Sequence, residues 1–486
     1  MPDASLLTSL FPDEVVTRAL VRDVELPDGA GTMALITLDN GRDHTRPNTF
    51  GPAGLQSLND ALDAVAARTD IAAVGVTGKP FIFAVGADLS GAPLIAARDE
   101  ALTIARLGHA VFRRLGELSV PSFAFVNGAA LGGGLELALH CSYRTISSGV
   151  TAVAFPECFL GLLPGWGGTY LLPHLIGPGN ALKVIVENPL SQNRMLRGAQ
   201  AYSLGIADAM FEPADFLAES LRWAARVLTG SAEVSRAVPD AGWDSVNWDH
   251  AVASARLFAD GKLHGAAPAP YRAIDLVAAA RGRTRDEGFA AEDEALADLL
   301  LSEELRAGLY AFDLTQKRAR HAAGAPDPSL ARPVTKIGVV GAGLMAAQIA
   351  LLFARRLEVP VVLTDLDQAR LDAGLGHVRA EVARLRDRGR ISADAAARLT
   401  ALVTGSLTKD AFADADFVIE AVFEEMAVKQ RVLAEVEAVV RPDCVLATNT
   451  SSLSVTEMAS GLAHPERVVG FHFFNPVAMM PLVEVV

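Results

Sequence analysis

Two glycine-rich turns, each placed between a buried strand and a helix, most constrain how this chain can fold. The first follows "SFAFVNG" and comprises glycines 132–134, and the second lies in "TKIGVVGAGLMAAQIALLFARR". A strand that enters a helix through a tight turn is the building unit of parallel α/β sheets. The sequence therefore predicts an α/β protein with such a unit in each half.

The order of segments predicts the domain organisation. A length of 486 residues suggests about three domains. Short β-rich runs alternate with helical segments over residues 20–190, and the pattern is helical from about 190 to 330. The stretch "APDPSLARP" (325–333) has three prolines and no periodicity, which indicates a linker. We expect three segments: residues 1–225, a helical extension and linker at 226–332, and a last domain at 333–486.

Composition excludes several classes of protein. A net charge of −14 argues against a general role in binding nucleic acid. No apolar run reaches the roughly 18 to 20 residues of a membrane span. The first residues include Asp3, Asp13 and Glu14, where a signal or transit peptide would be basic. We expect a cytoplasmic protein without a membrane span.

The three cysteines predict neither a metal site nor a disulfide framework. Cys141, Cys158 and Cys444 lack the spacing of metal ligands, and their number is odd. We expect them to be buried as small apolar side chains, and we expect no metal.

The first glycine turn is suited to binding an anion. A helix N-terminus has unpaired N–H groups, and glycine lets a ligand approach them closely. An oxyanion hole requires such preorganised donors. A second candidate donor lies at the turn 86–88 in "FIFAVGADLS". A simple tight turn would explain either pattern taken alone.

Two glutamates in apolar surroundings add chemistry to this turn. Glu136 lies in "GLELAL" and Glu157 lies in "AFPECFLGLLPGWGG". A buried carboxylate is costly unless it has partners or a catalytic task. Around one water molecule, one carboxylate could accept its proton while the other supplies a proton to carbon. A lone helical glutamate is more often solvated or paired.

These motifs resemble the enoyl-CoA hydratase/isomerase (crotonase) family over residues 15–225. The match includes "FIFAVGADLS", "NGAALGGGLELALHCSYR", "FPECFLGLLPGWGGT" and "MLRGAQAYSLGIAD". The resemblance implies a spiral ββα fold that binds acyl-CoA thioesters. It implies an oxyanion hole formed by the N–H groups of Ala87 and Gly133, with Glu136 and Glu157 as the acid/base pair. Because both carboxylates are present, hydration is favoured over isomerisation alone.

The second glycine turn predicts a dinucleotide site. Its spacing fits G-x-G-x-x-G/A, and a second strand, "VPVVLTDLD", ends in an acidic residue. An acid there suits the ribose hydroxyls of NAD and would repel the phosphate of NADP. We therefore expect a Rossmann-type domain that binds NAD through Gly341, Gly343, Leu344, Met345, Ala346 and Asp365.

The remaining motifs resemble the NAD domain of 3-hydroxyacyl-CoA dehydrogenases over residues 333–486. They are "ADFVIEAVFEEMAVKQ", "LATNTSSLSVTEMA" and "VVGFHFFNPVAMMPLVEVV". A histidine in an aromatic run is more often a core residue, but a glutamate follows it at catalytic spacing. The resemblance implies that His472 is the general base and that Glu484 orients it. Further positions implied to contact substrate or cofactor are Ser451, Asn475, Glu424 and Lys429.

The order hydratase, helical linker, dehydrogenase resembles the α-subunits of fatty acid β-oxidation multienzyme complexes. In those proteins a helical domain follows, whereas this sequence ends at Val486. We therefore expect a dehydrogenase part that binds NAD but oxidises weakly, because a substrate lid is missing. We also expect exposed apolar surface in "MMPLVEVV".

The expected function is hydration of a trans-2-enoyl-CoA followed by NAD-dependent oxidation in fatty acid β-oxidation. The alternatives are an enoyl-CoA isomerase only, or a non-catalytic acyl-CoA and NAD scaffold for a thiolase subunit. A homo-oligomer is also compatible with the sequence. The helical extension is interpreted as a linker and packing surface. Its basic cluster, Lys317, Arg318 and Arg320, could meet CoA phosphates but is more simply a solvated face.

Overall fold

The computed structural model describes residues 7, 9–236, 245–315, 324–480 and 482–486. The chain forms two compact units, Met1–Gly324 and Ala325–Val486. The basic cluster at 317–320 lies outside the described residues. None of the helices in the described ranges has both the length and the apolar character needed to cross a bilayer.

In the described residues of the N-terminal unit, nine strands form the frame. They are β1 (Arg18–Glu25), β2 (Thr32–Asp39), β3 (Ala73–Gly78), β4 (Ile82–Val85), β5 (Ser122–Val126), β6 (Ala129–Leu131), β7 (Tyr143–Ser147), β8 (Val153–Ala154) and β9 (Ala209–Phe211). The larger sheet has the order β1-β2-β3-β5-β7-β9 and the smaller has the order β4-β6-β8. All pairings are parallel except β1–β2. From β3 to β8, successive passes of the chain send one strand to each sheet, which confirms the predicted spiral ββα architecture.

Helices cover both sheets of this unit. They are α1 (Pro52–Ala66), α2 (Arg98–Phe112), α3 (Gly133–His140), α4 (Glu157–Leu160), α5 (Gly168–Ile176), α6 (Pro178–Leu182), α7 (Asn188–Leu190), α8 (Gly198–Ser203), α9 (Phe216–Leu228), α10 (Ser245–Leu263), α11 (Pro268–Ala280), α12 (Arg285–Leu300) and α13 (Glu303–Asp313). Helix α1 illustrates why the local sequence forms a helix. Proline at its first position fits the fixed φ of that site, and its apolar residues recur on one face.

The position of strands such as β5 inside the core explains why they do not alternate between apolar and polar residues. Every residue of β5 is buried because helices or strands cover both of its faces. Complete burial of a large apolar side chain contributes roughly 1.5–3 kcal/mol. The helices α11 and α12 pack into the same core through Ile274, Val277 and Leu299. They are therefore integral to this unit.

The C-terminal unit has one seven-stranded sheet. Its strands are β10 (Ile337–Val340), β11 (Val361–Thr364), β12 (Val403–Ser406), β13 (Phe417–Glu420), β14 (Val445–Thr448), β15 (Val468–Phe473) and β16 (Val483–Val485). Their order is β12-β11-β10-β13-β14-β15-β16, and only β15–β16 is antiparallel. The first six strands have the dinucleotide-binding order 3-2-1-4-5-6. The Rossmann-type prediction is confirmed.

Within the described range of this unit, five helices accompany the sheet: α14 (Leu344–Leu357), α15 (Gln368–Asp387), α16 (Ala393–Leu402), α17 (Met426–Glu437) and α18 (Val455–Ala459). The chain reverses its direction of travel across the sheet between β10 and β13. In open α/β sheets, ligands bind beyond the carboxyl ends of the strands at such a switch point. The predicted glycine turn follows β10 and lies at this point.

Candidate active sites

The two predicted oxyanion-hole donors leave neighbouring parallel strands at the same edge. Val85, the last residue of β4, pairs with Leu131, the last residue of β6. A Cβ built on Gly133 would lie 3.7 Å from Ala87 N. Within the described part of the chain, neither the Ala87 nor the Gly133 N–H donates a hydrogen bond. Both residues line a cavity of about 240 Å³, so these donors are available to a ligand oxygen.

Both the backbone conformation at position 132 and the nearby Glu157 side chain require glycine there. Its φ is +52°, in the region that favours glycine. A Cβ built there would lie 2.2 Å from Glu157 Oε1. Any side chain at this position would displace the Glu157 carboxylate.

Glu136 is held in place inside the cavity wall. It lies in the first turn of α3 and is 2% exposed. Its Oε1 accepts hydrogen bonds from Trp166 N at 2.7 Å and Gly168 N at 2.8 Å. Burial raises the pKa of Glu136, the charge of Glu292 adds to this, and the two backbone donors oppose it.

Glu157 lies at the start of α4 and lines the same cavity. Its Oε2 is buried and has no hydrogen-bond partner among the described residues. Burial, and then the charge on Glu136, raises the pKa of Glu157 well above 4.5. Two buried carboxyls that resist joint ionisation can supply an acid and a base together.

The structure adds cavity residues that the sequence analysis missed. Trp166 Nε1 and Asn193 Oδ1 are buried without a hydrogen-bond partner in the part of the chain that the structure describes, and both residues line the cavity. Asn193 has a φ of +51°. Leu296, Leu300 and Phe312, from α12 and α13, line it as well. The helical extension, interpreted as a linker and packing surface, thus forms part of the cavity wall.

The second glycine turn has the geometry of a phosphate-binding turn. Gly341 has a φ of +104°, and a Cβ there would lie 2.8 Å from Ala421 O. Gly343 precedes α14, and a Cβ there would have no atom within 4 Å. This open space at a helix N-terminus fits a dinucleotide pyrophosphate. Leu344 is exposed, Met345 is half-buried and Ala346 is buried.

Asp365 supports this turn directly. It follows β11, and its Oδ2 accepts a hydrogen bond from Ala342 N at 2.8 Å. Its Oδ1 accepts one from Leu366 N at 2.7 Å. The carboxylate therefore lies beside the glycine turn, where it would meet the ribose of a bound dinucleotide.

Glu424, Lys429 and Ser451 form one cluster at the carboxyl ends of β13 and β14. Glu424 Oε1 accepts hydrogen bonds from Ser451 N at 3.0 Å and Thr450 Oγ1 at 2.5 Å. Burial opposes ionisation of Glu424, but these donors and Lys429 lower its pKa to about 2. Lys429 is 1% exposed, and its Nζ lies 2.8 Å from Glu420 and 3.2 Å from Glu424. The buried Lys429 ammonium therefore contacts the carboxylates of both Glu420 and Glu424. The sequence analysis did not identify Glu420 as a partner of Lys429.

His472 and Glu484 are directly opposed across an antiparallel pair of strands. They are register partners in β15 and β16, and His472 Nδ1 lies 2.7 Å from Glu484 Oε2. Since a carboxylate accepts the Nδ1 proton, Nε2 is left as the basic nitrogen. Phe473 N donates to Asn449 Oδ1 at 2.9 Å, which ties this strand to the segment before Ser451. Asn475 is exposed just after β15.

Comparison with known protein families agrees with this arrangement. Residues 28–253 match the enoyl-CoA hydratase/isomerase family. Residues 336–486 match the NAD-binding domain of 3-hydroxyacyl-CoA dehydrogenase. Each unit of the chain thus contains the match to one of these families.

Relatives with both parts are named fatty acid oxidation complex subunit alpha. The protein from Idiomarina loihiensis is 33% identical over 449 residues, and that from Pseudomonas putida is 34% identical over 454 residues. Each alignment covers 90% of this chain, and this chain spans 61% of each relative's length. The solved structure of (S)-3-hydroxybutyryl-CoA dehydrogenase from Ralstonia eutropha is 34% identical over 31% of this chain and 53% of its own, with a TM-score of 0.30.

Proposed function

We propose that the N-terminal unit hydrates a trans-2-enoyl-CoA to a 3-hydroxyacyl-CoA. The central support is the geometry of one cavity. Glu136 and Glu157 both line it, and the free N–H groups of Ala87 and Gly133 open into it. Membership of this domain in the hydratase/isomerase family supports a CoA thioester as the substrate.

The environments of the two carboxyls assign their roles. Two backbone N–H groups stabilise charge on Glu136, whereas one oxygen of Glu157 has no hydrogen-bond partner within the described residues. Glu136 is therefore the ionised base, and Glu157 is the protonated acid.

The reaction follows from these roles. The thioester oxygen accepts hydrogen bonds from Ala87 and Gly133, which stabilises negative charge as it develops. Glu136 takes a proton from water while the water oxygen bonds to C3. Glu157 gives its proton to C2, so that one water adds across the double bond. Glu136 leaves the reaction protonated, and proton exchange with solvent restores both groups.

We further propose that the C-terminal unit binds NAD and oxidises the 3-hydroxyacyl-CoA. The open turn at Gly343 and the carboxylate of Asp365 fit this dinucleotide. Bound NAD would supply the hydride acceptor. His472 Nε2 would remove the proton of the substrate hydroxyl, and Glu484 would hold the other ring nitrogen and stabilise the imidazolium. The two reactions are consecutive steps of fatty acid β-oxidation.

Isomerisation of a 3-enoyl-CoA is the second candidate. The unpartnered Oε2 of Glu157 could move a proton between two carbons of the same bound enolate. A non-catalytic scaffold would gain nothing from two buried carboxyls, whose burial is costly.

We also propose a thiolase subunit as a partner and the cytoplasm as the location. The relatives' names as subunits of a fatty acid oxidation complex support the partner. The three cysteines, all free, are compatible with a reducing compartment. Co-purification of a thiolase with the tagged chain would test the partner.

Two measurements test the proposed activities. Glu157→Gln should lower the hydration rate by at least about 100-fold, because the proton donor to C2 is lost. Retention of the full rate would reject the acid/base pair.

Calorimetry should detect NADH binding to the wild-type chain, and the absence of binding would reject the cofactor proposal.

A further inference from the structure

A third buried carboxylate lies next to the hydratase site. Glu292, on α12, is completely buried and does not line the cavity. Its Oε2 accepts from Gly167 N at 2.6 Å, and its Oε1 accepts from Tyr170 N at 3.0 Å and from the Thr169 hydroxyl. Four hydrogen-bond donors, counting His109, therefore converge on one side chain.

Glu292 and Glu136 share a single loop. The N–H groups of Trp166 and Gly168 donate to Glu136, while those of Gly167 and Tyr170 donate to Glu292. The segment 166–170 is thus clamped between two carboxylates. Any movement of this segment away from Glu292 would also move the two donors that hold Glu136.

Glu292 is itself held by a histidine. His109 Nε2 lies 3.0 Å from Glu292, and its Nδ1 lies 2.7 Å from Asp293. Burial opposes protonation of His109, but the two carboxylates outweigh it and raise its pKa to about 9. His109 therefore carries a positive charge at neutral pH, and Phe289 stacks on its ring at 4.4 Å.

We propose that Glu292, His109 and Asp293 form a positioning cluster for hydration, which fixes segment 166–170 so that its N–H groups hold the Glu136 carboxylate in one orientation. This inference rests on the proposed hydratase function. It places an essential support of the site in the helical extension, outside the segment that carries the family motifs. A chain of residues 1–225 alone would lack Glu292 and Asp293, and therefore this support.

The cluster should affect turnover more than substrate binding. Glu292 makes no part of the cavity wall, and within segment 166–170 only Trp166 does, so replacement of Glu292 leaves most of the surface that meets the acyl chain unchanged. Misplacement of a catalytic group by about 1 Å can lower a rate roughly 100-fold. We therefore expect kcat to fall while KM stays nearly constant.

The test compares Glu292→Gln with Glu294→Gln in the full chain. Glu294 lies on the same helix and is half-exposed, with Arg98 at 2.6 Å, so its replacement removes the same charge away from the site. For trans-2-enoyl-CoA hydration, we expect Glu292→Gln to lower kcat by about 10- to 100-fold with KM within about twofold. Glu294→Gln should match wild type.

Hydrogen exchange of the peptide that contains 166–170 provides a second, activity-independent readout. Exchange should accelerate in Glu292→Gln and remain at the wild-type rate in Glu294→Gln. If Glu292→Gln does not fold, Asp293→Asn takes its place, and it should lower kcat by about 3- to 10-fold.

The possible outcomes separate the two claims. Equal kcat and equal exchange in the Glu292 and Glu294 variants would overturn the positioning cluster. Faster exchange with unchanged kcat would also overturn it, because the support would then be purely structural. A wild-type chain that does not hydrate the substrate would instead reject the proposed function, and the exchange data would still decide whether Glu292 clamps the segment.

Discussion

At the residue scale, Glu157 explains the glycine that precedes α3. Gly132 leaves room for the Glu157 carboxylate, since a Cβ would approach its Oε1 to 2.2 Å. The positive φ at position 132 and the space that the Glu157 carboxylate occupies therefore both favour glycine there.

Gly132→Ala should distinguish these two effects. Strain at a positive φ costs roughly 1 kcal/mol of folding stability and does not by itself reduce kcat. Displacement of Glu157 should lower the hydration kcat by about 100-fold. Steady-state hydration assays would measure this, with Gly261→Ala as the control because a Cβ there meets no atom within 4 Å. An active Gly132→Ala enzyme would mean that Glu157 is not the proton donor.

The pH dependence of hydration should reflect two perturbed carboxyls. The pKa values of Glu136 and Glu157 are both raised above 4.5, chiefly by burial. The active pair has one proton, so it takes up a second proton as the pH falls through the lower value. We expect kcat/KM to decline as the pH falls through a value well above the ordinary pKa of glutamate. A plateau that extends down to the ordinary pKa of glutamate would contradict this environment.

At the element scale, local patterns predicted the strand–turn–helix units well. Each of these units is specified within a short stretch, as β10, the turn at Gly341 and α14 show. Sequence could not predict the role of α12. His109 and Glu292 lie 183 positions apart, and each resembles an ordinary polar residue of a helix. Their significance arises only when folding removes both from water.

The glycine turn of the C-terminal unit permits a specific test. Gly341→Ala combines a φ of +104° with a Cβ 2.8 Å from Ala421 O, so the turn must shift. We expect the Kd for NADH to rise at least about tenfold, because the phosphate donors move. Calorimetry would measure this beside Gly376→Ala on α15, where a Cβ meets nothing within 4 Å. Equal affinity in both variants would place the dinucleotide elsewhere.

At the scale of the whole molecule, each unit has its own proposed catalytic set. Glu136 and Glu157 belong to the N-terminal unit, whereas His472 and Glu484 belong to the other. The sequence motifs indicated this division because each set lies within its own family motifs. A substitution in one unit should therefore leave the reaction of the other intact.

Product analysis by mass spectrometry tests this account most directly. Wild-type chain and His472→Gln, given a trans-2-enoyl-CoA without NAD, should both produce an acyl-CoA heavier by one water. Glu157→Gln should leave the enoyl-CoA unchanged, yet bind NADH as the wild type does. Hydration by Glu157→Gln at the wild-type rate, or unchanged substrate with the wild-type chain, would contradict the two-carboxylate hydratase.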